Sequence, residues 1–234
     1  MSVRGRWLWV VTFGVAMGWM EAATVFYLRS MMDRIVPYQP NPLPKVASMG
    51  VMSWGAVELW REAATLVMLL AVGWLAGRTW RSRLACALIA FGVWDITYYL
   101  FLVPMSGWPR TVLDWDVLFL LPLPWWGPVL APILIAALMI AGGTLVSGFD
   151  SPAHPLWPGR AAQTLSGLGV LVALFVFMAH PIHALWNGQP QDLTSAPRGF
   201  NWPLYAIGLT LMAAAVVDMA RQVVLRRQRL SGAP

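Results

Sequence analysis

Four acidic residues and one arginine interrupt long apolar segments, where charged side chains are expensive to place. Glu21 and Asp95 each stand in an apolar run, and Glu58, Arg61 and Glu62 lie together in a third. Charged residues inside a bilayer usually face the protein interior and mark a functional site. Their carboxylates could bind a ligand, act as a general base, coordinate a metal or relay protons. They could also neutralise the arginine as structural ion pairs.

A second set of polar side chains belongs to the same candidate ligand-binding site. Tyr98 and Tyr99 follow the aspartate of the third apolar run by three and four residues, so a helix places them on its face. Arg110, Asp114 and Asp116 lie in the tryptophan-rich stretch that comes next. We expect this stretch to cover the charged cluster on the outer side.

Two histidines raise the question of a cofactor. His180 and His183 are three residues apart, which makes them a candidate pair of metal ligands if the helix continues through Pro181. No HExxH or Glu-x-x-His motif accompanies them, and the chain has one cysteine, Cys86, in an apolar run. The cofactor therefore stays open, with a metal ion and haem as the two alternatives.

Composition decides which class of protein can carry such a site. Hydrophobic residues make up 59% of the 234 residues and charged residues only 11%, whereas soluble domains have about 25% charged residues. This excludes a cytosolic enzyme and a disordered chain. It also excludes a nucleic-acid binder, although the net charge is +6. The expected partners are the lipid bilayer and other proteins of a membrane complex.

The apolar segments predict one all-α transmembrane domain over residues 1–234. About 20 apolar residues are needed to cross a bilayer, and six segments qualify, at about 7–28, 57–77, 84–103, 128–146, 163–182 and 203–224. The stretch 111–127 is apolar but interrupted by Pro122 and Pro124, which predicts a re-entrant or interfacial segment. Gly14 and Gly18 form a GxxxG pair, so the first helix should pack closely on a neighbour there.

The distribution of basic residues predicts the orientation. With the N-terminus inside, ten of the 16 basic residues fall on the cytoplasmic side and five on the outer side, as the positive-inside rule requires. We therefore expect an inner (plasma) membrane protein with both termini in the cytoplasm. At about 1.5 Å per helical residue, Glu21, Glu62, Asp95 and His180 then lie in one layer, in the outer half of the membrane.

Several strings of the sequence resemble known membrane proteins. The strings REAATLVML, FGVWDITYY, GWP, DWDVLFL and PLPWWGPVLAP are similar to an uncharacterised family of bacterial integral membrane proteins, a resemblance that implies no activity. The topology also resembles the haem-handling proteins of c-type cytochrome assembly, which have six spans and a tryptophan-rich loop after the third. That resemblance would give Trp115, Asp116 and His180 or His183 a place near haem. The dense tryptophan motif of those proteins is missing here.

Three classes of function remain open from the sequence. The first is a ligand-binding or accessory subunit of a membrane redox or assembly complex. The second is an intramembrane enzyme that uses a carboxylate or a metal, and the third is a small transporter or proton relay. An enzyme requires the acidic residues to converge on one cavity, whereas a transporter requires a polar path that reaches the cytoplasmic side.

Overall fold

The computed structural model describes residues 2–31, 54–120, 122–188, 197 and 199–231. Within these ranges the chain forms six long helices and one short hairpin: α1 (Val3–Met31), α2 (Trp54–Ala76), α3 (Trp80–Ser106), β1 (Trp115–Val117), β2 (Trp126–Pro128), α4 (Leu130–Phe149), α5 (Arg160–Trp186) and α6 (Trp202–Ser231). All six helices are long and apolar enough to cross a membrane. The predicted all-α bundle is confirmed, and the protein is a multi-pass membrane protein.

Helices α1, α3, α5 and α6 extend beyond their apolar windows at both ends, whereas α2 and α4 do so at one end only. In α3, local capping decides where the helix ends. Helix α3 begins at Trp80, where Thr79 and Ser82 form a capping box that satisfies free amide groups of the first turn. It ends at Gly107, whose φ of 69° is left-handed, a conformation that glycine adopts without steric cost. The predicted span at 84–103 therefore covers only the middle of this helix.

The proline-rich stretch after α3, predicted as a re-entrant or interfacial segment, contains a short antiparallel hairpin. Strands β1 and β2 are antiparallel, and Asp116 is the partner of Gly127 at their centre. Two further backbone hydrogen bonds, Leu118 N–H to Trp125 O and Trp125 N–H to Phe119 O, extend the pairing. Proline cannot donate in a helix, so pairing across the hairpin satisfies backbone groups that would otherwise lack partners in this apolar segment.

Helix α3 lies at the centre of one half of the bundle and packs against α1, α2 and α4. The predicted close approach at the GxxxG pair is confirmed, because a Cβ atom on Gly14 would lie 2.9 Å from the Ala90 carbonyl oxygen. A Cβ atom on Gly18 would lie 2.1 Å from Thr97 Oγ1. Only glycine allows α1 and α3 to approach this closely.

Helices α5 and α6 pair with each other, and α6 joins them to α4. The hydroxyl of Tyr205 donates to the Ala131 carbonyl oxygen at 2.6 Å, near the start of both helices. At the opposite end of the bundle, Thr79 and Arg81 both donate to Asp150. We call these two ends the hairpin end, where α1 finishes and α4 begins, and the termini end, where α1 begins and α4 finishes.

Candidate functional site

A cavity of about 270 Å³ opens at the hairpin end, between α1, α2, α3 and strand β1. Eight of the twelve residues that the sequence singled out line it: Glu21, Glu58, Arg61, Glu62, Asp95, Tyr98, Tyr99 and Asp116. Three helices and the hairpin thus bring side chains that are up to 95 positions apart in the sequence to one place. We call this space the acidic cavity, because five of these eight residues are carboxylates.

Arg61 joins α2 to α1 on one wall of the acidic cavity. Its Nη1 atom donates to Glu21 Oε1 on α1 at 2.5 Å, and its Nε atom donates to Glu58 Oε2 at 2.9 Å. The Nη2 atom donates to the other oxygen of Glu58. A guanidinium group presents donors in a planar fork, so one arginine holds two carboxylates while its side chain stays 25% exposed.

Glu62 connects the same helix to the hairpin. Both of its carboxylate oxygens accept the backbone N–H of Leu120, at 3.0 and 3.1 Å. The residue is buried, and no ion pair is formed by it within the described part of the chain. Its charge is therefore compensated by the Leu120 peptide group and, without a direct contact, by the charge of Arg61. The carboxylate remains able to interact with a ligand.

Asp116 lies on strand β1 and receives hydrogen bonds from three directions. Arg29 Nη2 donates at 3.3 Å, the Tyr99 hydroxyl at 3.1 Å and the backbone N–H of Val117 at 2.9 Å. Arg29 also lies 4.2 Å above the ring of Trp108, a favourable cation–π geometry. Burial raises the pKa of Asp116 to about 6, although Arg29 and the two hydrogen bonds from Tyr99 and Val117 oppose this.

The raised pKa of Asp116 predicts how stability changes with pH. In the folded protein this carboxyl binds its proton more tightly than in the unfolded chain, where its usual value is 3.8. Its contribution to the free energy of unfolding is therefore complete below pH 4 and is lost as the pH rises through about 6. We expect Asp116→Asn, which never ionises, to gain about 2–3 kcal/mol relative to the wild type between pH 4 and pH 7.

Thermal unfolding in detergent over this pH range measures the difference between the two proteins. Taking the difference removes the titration of the other carboxylates, since both proteins share them. A melting-temperature difference that stays constant from pH 4 to pH 7 would contradict the assignment.

Asp95 differs from the other carboxylates of the acidic cavity. Its Oδ2 atom is buried and has no hydrogen-bond partner among the described residues, and no ion pair formed by those residues includes Asp95. The neighbouring Trp94 also lines the cavity, and its Nε1–H group is likewise buried and without a partner in that part of the chain. A buried carboxylate oxygen without a partner is costly, so Asp95 suits a site that a ligand completes.

Four predicted residues lie outside the acidic cavity. Asp114 accepts the backbone N–H groups of Arg110 and Thr111, so it stabilises its own loop, and Arg110 is exposed. His183 contacts Asn187, the residue that follows α5, and His180 also lies on α5. Among the described residues, no group of three or more His, Cys, Asp or Glu side chains is arranged to hold a metal ion.

Arg29 also lines the acidic cavity, although it is not among the candidate residues predicted from the sequence. It is one of the five basic residues that the positive-inside count assigns to the outer side, and it lies in the last turn of α1. Its spacing of eight residues from Glu21 was a usable signal, because positions i and i+8 lie near one helical face.

The acidic cavity ends on an apolar floor. Val10, Met17, Leu69, Ile89 and Val93 form a buried cluster between α1, α2 and α3, below the charged side chains. Along α1, α2 and α3, this cluster lies between the charged side chains and the termini end.

Comparisons with protein-family models, with curated proteins and with solved structures give no match to this chain.

Proposed function

We propose that this membrane protein binds a small, positively charged organic ligand in the acidic cavity. The observation that carries the proposal is the charge of the lining, in which five carboxylates face only two arginines, a formal balance of −3. A cavity with one sign of charge and low-dielectric walls concentrates ions of the opposite sign. A bound ammonium group would reduce this net negative charge and give Asp95 the donor that it lacks.

The size and the lining of the acidic cavity support a ligand with an apolar part. Its volume of about 270 Å³ is near the lower limit for small-molecule sites. Tyr98, Trp94 and Phe119 stand among the carboxylates, and aromatic faces attract cations such as alkylammonium groups. A protonated amine with a short hydrocarbon group fits this volume and brings a cation to these aromatic rings.

The apolar floor favours a binding site over a continuous proton path. A relay needs polar groups along the whole route, whereas the residues below the acidic cavity are Met17, Leu69, Val93 and their neighbours. We also propose the predicted orientation, with both termini in the cytoplasm of a plasma membrane and the acidic cavity open to the outside. Membership of a redox or assembly complex stays a prediction.

Asp95 favours a second candidate, an intramembrane enzyme in which this carboxylate is a general base. A base must be free to take a proton from its substrate, and Asp95 is the carboxylate of the acidic cavity without a partner among the described residues. Release of a product from a bound amine, followed by mass spectrometry, would distinguish this enzyme from a binding protein.

Thermal unfolding with simple probes tests the proposed ligand class. Propylammonium at about 100 times its Kd should raise the melting temperature at pH 7.5 by about 5–10 °C. Propionate and propanol, which match its size without its charge, should not. Asp95→Asn should abolish the shift, because it removes the negative charge of the unpaired carboxylate. The control Asp114→Asn, outside the acidic cavity, should keep it.

Two results would contradict the proposal. One is an equal shift with propionate, which would mean that charge does not select the ligand. The other is an undiminished shift in Asp95→Asn, which would place amine binding elsewhere on the protein.

A further inference from the structure

The acidic cavity holds two carboxylates that its arginines do not contact directly. Glu62 lies on α2 and Asp95 on α3, and neither forms an ion pair within the described part of the chain. The other three carboxylates are all paired with an arginine. Glu62 accepts the backbone N–H of Leu120, and Asp95 Oδ2 has no hydrogen-bond partner among the described residues. Two negative charges on two different helices therefore face one cavity.

One ammonium group compensates only one of these two carboxylates. The lining carries a formal charge of −3, so a bound monocation leaves −2 and a bound dication leaves −1. A charge that stays unpaired in a low-dielectric surrounding is costly. A ligand with a second cationic group lowers this cost, provided that the group reaches the other carboxylate.

Two positive charges on one atom do not match the arrangement of the carboxylates. Side chains that hold Ca²⁺ converge on the ion at about 2.3–2.6 Å. Among the described residues, no three acidic, histidine or cysteine side chains come together in this way. The two carboxylates belong to separate helices, so the positive charges that match them lie at the two ends of an organic chain.

Aromatic rings lie next to both carboxylates. Trp94 and Phe119 line the acidic cavity, and their ring centroids are 6.3 Å apart. Trp94 precedes Asp95 in the chain, and Phe119 precedes Leu120, whose N–H group binds Glu62. A short methylene chain can therefore contact these rings while each of its ends reaches a carboxylate.

We propose that the ligand of the acidic cavity is a short linear diamine, with one ammonium group at Asp95 and the other at Glu62. This proposal rests on the proposed function, because it assigns the second end of the same ligand. Each ammonium group donates a charge-assisted hydrogen bond to its carboxylate. The volume of about 270 Å³ is near the lower limit for small-molecule sites, which favours a chain of few carbons. Glu62 is then the residue that distinguishes a diamine from a monoamine.

Probes matched in length test the second charge. Linear diamines of three, four and five carbons are each compared with the monoamine and the amino alcohol of the same length. The melting temperature of the purified protein in a nonionic detergent, at pH 7.5 and constant ionic strength, gives an apparent Kd for each probe. We expect at least one diamine to bind about tenfold or more tightly than both of its matched probes, since it gains a charge-assisted hydrogen bond.

Glu62→Gln should remove the advantage of the diamine. Glutamine loses the charge but keeps an oxygen that can accept the Leu120 N–H group. In this variant the Kd of the diamine should lie within about threefold of that of the matched monoamine. The control Asp114→Asn, outside the acidic cavity, should keep the wild-type ratio of the two Kd values.

Two results would overturn the diamine proposal. One is an undiminished advantage of the diamine in Glu62→Gln. The other is a wild-type protein in which no diamine binds more tightly than its monoamine, and this comparison is decisive even if Glu62→Gln does not fold. Monoamine binding that is lost in Asp95→Asn would still support the proposed function in both cases, so the two proposals can fail separately.

Discussion

Replacing Arg61 with glutamine should lower the free energy of unfolding by about 2–3 kcal/mol. The variant leaves the carboxylates of Glu21 and Glu58 without the cation that holds both. The cost stays below that of a fully buried pair because the Arg61 side chain is 25% exposed. It also removes the ion pair between α1 and α2, whose mutual contact is otherwise small. Thermal or denaturant unfolding in detergent measures the effect.

The matched control for Arg61 is Arg110→Gln at the same end of the bundle. Arg110 is exposed, so its replacement should change stability by less than about 0.5 kcal/mol. The double variant Arg61→Gln, Glu58→Gln should recover part of the loss, because it removes one of the two uncompensated charges. If Arg61→Gln and Arg110→Gln have the same free energy of unfolding, the ion pairs of Arg61 contribute nothing measurable to stability.

The six helices could be predicted from the sequence because each must present about 20 apolar residues to the bilayer. The ends of the helices could not be predicted, because they depend on single contacts such as the Thr79–Ser82 capping box. The proline-rich stretch 111–127 shows the same limit. Its prolines excluded a regular span, but nothing in their spacing distinguished a hairpin from a re-entrant loop.

Of the geometry of the acidic cavity, only the depth of its residues in the membrane could be predicted from the sequence. Counting residues along each helix placed Glu21, Glu62 and Asp95 at one depth, and all three line the cavity. Depth does not give the direction in which a side chain points. His180 was therefore predicted in the same layer, but it does not line the acidic cavity. The partners of each carboxylate also stayed hidden. Only the fold shows that Arg61 reaches across to α1 while Asp116 is held by Arg29.

The hairpin supplies contacts that connect α1, α2 and α3 at the acidic cavity. It places Asp116 against α1 and α3, and it supplies the Leu120 N–H group that binds Glu62 on α2. Three helices that carry charges in an apolar medium are thereby connected through one loop. The tryptophan-rich stretch expected to cover the cluster contributes to it through backbone groups, Asp116 and the ring of Phe119. Asp114 stabilises the loop itself.

Gly18→Ala should destabilise the protein by about 1–3 kcal/mol, although alanine favours a helix over glycine by about 1 kcal/mol. The new Cβ atom would lie 2.1 Å from Thr97 Oγ1 and 3.1 Å from the Trp94 carbonyl oxygen on α3. The two helices must therefore separate. Glu21 lies one turn beyond Gly18 on the same side of α1, so the separation should also move it away from the Asp95 wall and weaken amine binding.

The pair of variants at Gly18 and Thr97 isolates this clash. Adding Thr97→Ala to Gly18→Ala removes the Oγ1 atom and should recover most of the lost stability and binding, because the contacts that remain are 3.0 Å or longer. Gly167→Ala is the matched control, since a Cβ atom there would meet nothing within 4 Å, and it should stabilise slightly through helix propensity. Equal melting temperatures for the Gly18 and Gly167 variants would mean that α1 and α3 do not depend on this contact. A destabilised Gly18→Ala that Thr97→Ala fails to rescue would place the cost in the backbone carbonyl of Trp94.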